Sequence, residues 1–68
     1  MNETIELLVI HIDGQYGEAI YKAENELEAY RRFKSLKGRK KIVKAKVYYQ
    51  NIMNTPFIKK YEVLETLA

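Results

Sequence analysis

The hydrophobic pattern divides the chain into four extended segments and one helix. Residues 5–12 (IELLVIHI) form an aliphatic, β-branched run closed by Asp13-Gly14, a dipeptide that favours tight hairpins. Taken as a two-residue turn, Asp13-Gly14 sets Ile12 opposite Gln15, Leu8 opposite Ala19 and Leu7 opposite Ile20, with Gly17 able to shift that register. The return strand then covers residues 16–22. From Asn25 the period lengthens from two to about 3.6, the mark of a helix. Ala29, Tyr30, Phe33 and Leu36 fall on one helical face, with Arg31, Arg32 and Ser35 opposite. Asn25 is placed to cap the amino terminus, Glu28 to complete a capping box, and Gly38 to close the far end in a left-handed conformation. Glu24, Glu26 and Glu28 at the start, with Lys34 and Lys37 at the end, suit the helix dipole.

Residues 41–51 (KIVKAKVYYQN) alternate strictly, so Val43, Ala45, Val47 and Tyr49 are expected in the core and Lys44, Lys46, Tyr48 and Gln50 on the open side. Residues 51–56 (NIMNTP) read as a turn and residues 57–65 (FIKKYEVLE) as the last strand. If Phe57, Tyr61 and Val63 face the core, Lys46 lies opposite Lys60 and Lys44 opposite Glu62. The expectation is an α+β fold with a single ββαββ domain over residues 1–68. Its four-stranded antiparallel sheet has the order 2-1-3-4, with one helix packed on one face. The expected core is Val9 or Ile10 with Ala29, Tyr30, Phe33, Leu36, Val43, Ala45, Val47, Tyr49, Phe57 and Val63.

The helical segment A-E-N-E-L-E-A-Y-R-R-F-K-S-L, set between two hairpins, resembles the pattern of small bacteriophage-encoded accessory proteins. The resemblance covers most of the chain. It implies a short, non-catalytic protein that binds a host macromolecule or a phage component, often as a dimer.

Composition narrows the chemistry. A chain of 68 residues has a small core, and with no cysteine it has neither disulfides nor a thiolate zinc site to reinforce it. Packing, or a second subunit, must supply the stability. The segment MNETIELLVI lacks the charged start and cleavage site of a signal peptide, and no apolar run approaches the ~18 residues of a membrane span, so the expected location is cytoplasmic. Nucleophilic catalysis needs a Ser, Cys or Thr beside a base, yet there is one His and one Ser. His11 falls near the first hairpin tip, within reach of Tyr16, and reads as a partly exposed strand histidine; Ser35 has no base nearby. Of the helix-start acids only Glu24 and Glu28 share a side, too few for a metal. Glycines 14, 17 and 38 are too scattered for a phosphate loop, and Asn2-Glu3-Thr4 is a chance match to a glycosylation acceptor. No catalytic residue, metal or cofactor is expected.

Charge is the remaining signal. Residues 1–30 carry seven acids and one base, residues 31–60 carry eleven bases and no acid, and the last eight residues add two acids, which together make the net +3. The domain is therefore expected to have an acidic and a basic pole. Lys34, Lys37, Arg39, Lys40 and Lys41 form a rim where the helix ends, and Lys44, Lys46, Tyr48 and Lys60 are placed on the open sheet face. Lysines tracking phosphates around a tyrosine able to stack on a base suit nucleic acid. The expected function is a small non-enzymatic nucleic-acid-binding protein. The alternative is a phage-type interaction or inhibitor module that binds an acidic host protein. A homodimer is expected as well, because Leu7, Leu8, Val9 and Ile10 supply apolar side chains to both sheet faces while one helix covers only one.

Overall fold

The structure, a computed structural model, describes residues 3–13, 15 and 17–68. Its elements are β1 (Glu3–Asp13), β2 (Gly17–Ala23), α1 (Glu26–Ser35), β3 (Arg39–Ile52) and β4 (Thr55–Thr66). The strands form one sheet in the order β2-β1-β3-β4 with every neighbour antiparallel, which is the α+β, ββαββ topology that the periodicity predicts. Among the described residues no helix is long and apolar enough to cross a membrane.

The helix starts where the sequence places it. Asn25 is extended, at φ −156° and ψ 174°, and its side-chain oxygen accepts from the Glu28 backbone N–H at 2.8 Å. The carboxyl end differs from expectation. Leu36 already leaves the helix at φ −93° and ψ 148°, so Gly38, at φ +91°, turns the chain into β3 without capping the helix. The final carbonyls are met by a side chain: Lys40 Nζ donates to Phe33 O and to Leu36 O, each at 2.8 Å. An ammonium at this end also meets the negative pole of the helix.

β1 and β3 are buried on both faces. Toward the helix, Val9 and Ile42 close on Ala29, with Tyr21, Ala23, Phe33, Leu36 and Leu67 packed around them. On the other face Leu8, Ile10, Val43, Ala45 and Val47 are sealed from water, flanked by Ile20, Tyr49, Ile58 and Tyr61. No helix covers this second cluster; the sheet closes over it by coiling. The extent of the coil follows from the registers. Tyr61 pairs with Val47, whereas Glu18 lies level with Arg39 through Ile12, eight positions away along β3. In a flat sheet that offset alone separates them by roughly 26 Å. Yet Tyr61 Oη donates to Glu18 Oε1 at 2.9 Å, joining the two outer strands across the trough. Two register shifts on β4, which pass over Leu64 and Lys59, sharpen the twist.

Several expectations are therefore corrected. The first hairpin pairs Leu8 with Lys22, Leu7 with Ala23 and Asp13 with Gly17, which leaves a three-residue connection in place of two. Gly14 and Tyr16 of that connection, like Asn2, lie outside the described residues. Val43, Ala45, Val47 and Tyr49 face the trough and not the helix. Val9 and Ile10 are both core, in different clusters. Phe57 turns outward and is 51% exposed, because the shift past Lys59 sets Ile58 opposite Tyr49 in its stead. Tyr30 and Val63, 37% and 42% exposed, lie at the core's margin.

A sheet covered on one side tolerates truncation on the other; this one does not. Val9→Ala is expected to cost about 2 kcal/mol and Ile10→Ala about 3 kcal/mol in urea denaturation. A loss confined to one of these neighbours would mean that only one face is packed.

Candidate functional site

The basic residues do not gather on one surface. Alternation along β3 sends Lys40, Lys44, Lys46 and Tyr48 to the helix side of the sheet, together with Ile42. It sends Arg39 and Lys41 to the trough side. Lys40 is half-buried and held as the helix cap, its ammonium also 4.5 Å from the centre of the Phe33 ring. It is not free to meet an anion. Lys44 and Lys46 point away from the trough, beyond the helix, and lie opposite Glu65 and Glu62. The expected like-charge pair of Lys46 and Lys60 is absent, since β4 is offset by two residues and Lys60 pairs with Tyr48. Lys60 Nζ sits 4.8 Å from the Tyr48 ring centre, covering one face of the aromatic. With Glu3 across from Tyr48 on β1, this part of the sheet carries Lys44, Lys46 and Lys60 against Glu3, Glu62 and Glu65 and has no net charge.

What remains uncompensated is the rim at the helix end. Arg31, Lys34, Lys37 and Arg39 are exposed and Lys41 is half-buried, and among the described residues none of them is in an ion pair or hydrogen bond through its side chain. Arg32, on the same stretch, stacks over Tyr21 at 4.5 Å. Between Lys37 and Arg39 the backbone is open. A Cβ on Gly38 would find nothing within 4 Å. The start of β3 also runs beyond the last β4 residue paired with it, Thr66 at Val43.

Sequence reasoning missed a second polar constellation at the mouth of the trough. Glu6 accepts from Thr4 Oγ1 at 2.6 Å and from the Tyr49 hydroxyl, and Lys22 Nζ lies 5.0 Å from the Tyr49 ring centre. Thr4, Glu6, Lys22, Tyr49, Gln50 and Lys59 border an open cleft of about 830 Å³ here. Burial pushes the Glu6 carboxyl up, but the hydrogen bonds from Thr4 and Tyr49 and the charge of Lys22 outweigh it and hold the group below its usual range. Burial, followed by donation to Glu6, raises the Tyr49 hydroxyl; burial and donation to Glu18 do the same for Tyr61. Lys22 is raised by its contact with the Tyr49 oxygen. Every member is satisfied by another, so the cluster reads as the seal of the trough. The signal in the sequence was weak, because Glu6 and Tyr49 are 43 residues apart.

The remaining candidates are structural. His11 Nε2 lies 2.6 Å from the Lys37 carbonyl, which can only accept, so this nitrogen carries the proton and ties β1 to the segment after the helix. Ser35 Oγ donates to Arg32 O at 2.7 Å. Among the described residues no three His, Asp or Glu side chains converge as a metal site requires. The fold thus defines a small α+β protein with a self-closed sheet. Comparisons with protein-family models, with curated proteins and with solved structures find no match.

Two predictions follow the polar groups. Tyr49, Tyr61 and Lys22 have folded values above their unfolded ones, so the stability they contribute is complete below pH ~10 and is lost as pH rises through the folded values. The denaturation midpoint should fall above about pH 10. In a Tyr49→Phe/Tyr61→Phe variant that fall should flatten, while stability at neutral pH drops by about 1 kcal/mol per hydroxyl. An unchanged alkaline profile would separate the tyrosines from the seal. Lys40→Met keeps the aliphatic stem and deletes both hydrogen bonds to the helix end; it should lower stability by about 1 to 2 kcal/mol in the same assay.

Proposed function

We propose that the chain is a non-enzymatic nucleic-acid-binding protein of the cytoplasm, and that its contact surface is the basic rim around Gly38. The observation that carries this reading is that Lys34, Lys37, Arg39 and Lys41 follow one another along the chain around Gly38, beside an open backbone, and that none of them has an ion pair or side-chain hydrogen bond among the described residues. Long, hydrated cations on a convex rim suit phosphates, which tolerate loose geometry and reward charge. The cytoplasm agrees with a chain free of cysteine. The resemblance to small phage accessory proteins agrees with a short binding module. Lys44, Lys46, Tyr48 and Lys60 take a lesser part in this reading than their sequence suggests, because acids face Lys44 and Lys46 and Lys60 already covers one side of Tyr48.

Fluorescence anisotropy with single- and double-stranded DNA and RNA tests the proposal. At about 50 mM salt, binding should be tighter than ~10⁻⁴ M. With about four phosphate contacts on a duplex, log affinity should fall against log salt with a slope near −3.6, roughly two decades between 50 and 200 mM. Lys37→Glu/Arg39→Glu should weaken binding at least tenfold, whereas Lys60→Ala should change it less than twofold. Absence of binding to all four polymers would overturn the reading and assign the rim to an acidic protein partner.

A further inference from the structure

The expected reason for a dimer, an uncovered apolar face behind the sheet, does not exist, since Leu8, Ile10, Val43 and Val47 are fully enclosed by the coil. The surface left open lies on the helix side of the sheet, beyond the start of α1. There Ile5, Ile52 and Phe57 are 59%, 48% and 51% exposed, and the half-buried Tyr48 lies among them. They run diagonally across β1, β3 and β4. Ile5 pairs with Lys46, Tyr48 is the next outward residue along β3, and Phe57 pairs with Gln50 one step further. Cross-strand diagonal neighbours of this kind are close enough for large side chains to touch, so they make one apolar stripe.

At the helix-ward end of this surface, level with Ile5, Lys46 and Glu62 stand side by side on β3 and β4. Among the described residues no ion pair joins them, so each keeps its charge available. A strongly basic or acidic partner matches one and repels the other. A second copy of the chain matches both: a two-fold axis passing between the two residues sets Lys46 against the partner's Glu62 and, by symmetry, makes the same pair again. The other surfaces suit a second copy less well. The outer edge of β4 is interrupted by its two shifts, a protection against strand-to-strand pairing, and the rim repels its own image. We propose that the chain forms a two-fold homodimer through the helix-side face of its sheet, centred on Lys46 and Glu62 and bordered by Ile5, Tyr48, Ile52 and Phe57. The proposal does not depend on the nucleic-acid reading, whose principal residues are those around Gly38.

The contact is only three strands wide, so the association is weak, with Kd on the order of 10⁻⁵ M. Sedimentation equilibrium of the whole chain from about 1 µM to 1 mM tests it, bracketing that constant on both sides. The mass should rise from 8.1 kDa toward twice that value. Lys46→Glu alone and Glu62→Lys alone should each be monomeric, because every pair across the axis becomes repulsive. An equimolar mixture of the two should dimerise again, each contributing one sign. Phe57→Ser, at an exposed position, should weaken association at least tenfold. A wild-type chain that stays monomeric at 1 mM, single variants that associate as tightly as wild type, or a mixture that stays monomeric would each overturn the proposal.

Discussion

The coil of the sheet is the constraint on which everything else rests. One helix can cover one face of a four-stranded sheet, yet the apolar run of β1 and the alternation of β3 load both faces. Leaving Leu8, Ile10, Val43 and Val47 in water would forgo roughly 6 to 12 kcal/mol at 1.5 to 3 kcal/mol each, as much as the whole stability of a small domain. Coiling removes that penalty without a second layer. It is possible because the middle of the trough is lined by small or β-branched residues, Val43, Ala45 and Val47, and because the shifts at Lys59 and Leu64 let β4 bend. Tyr49 and Tyr61 then close it, each with its ring in the apolar trough and its hydroxyl on a carboxylate at the margin.

The same registers decide which charges are free. A base is left without a compensating neighbour only where no acid lies across the strand and no backbone carbonyl claims it. Lys40 fails the second condition, and Lys44 and Lys46 fail the first. The bases at the helix end satisfy both: Lys34 and Lys37 lie on the helix and the turn after it, and β1 sets Ile12 and Ile10, not acids, across from Arg39 and Lys41. A composition of eleven bases and no acid over thirty residues is thus reduced by tertiary structure to a much smaller rim.

Elements and order were legible in the sequence because they rest on strong local signals: the period change at Asn25, the cap itself, the two-residue alternation of β3. What escaped was register. Asp13-Gly14 has the composition of a two-residue turn, but the strands meet at Asp13 and Gly17, and Gly17 at φ +86° takes the left-handed position. The second hairpin turns at Met53 and Asn54, both at positive φ. Both lie inside the turn read at residues 51–56; asparagine favours that region but methionine is an unusual occupant of it, so the turn was legible and its central pair was not. Nor do bulges announce themselves: Lys59 and Leu64 look like ordinary strand residues. Each such shift exchanges cross-strand partners, which is why Lys46 meets Glu62 and not Lys60, and why Phe57 leaves the core to Ile58.

These register effects also separate the two kinds of surface the domain retains. Balanced charges around aromatic and β-branched side chains form a stiff face whose desolvation is offset only by a partner of matched pattern, since each buried charge must find its opposite. Long lysines and arginines around a glycine form a soft face whose charges stay hydrated, the kind of surface that the nucleic-acid proposal requires. The first kind discriminates by position and is sensitive to a single reversal. The second discriminates by charge density and is sensitive to salt. The two lie at opposite ends of β3: the first spreads over β1, β3 and β4 around Tyr48, and the second runs from the last turn of α1 through Gly38 to Lys41.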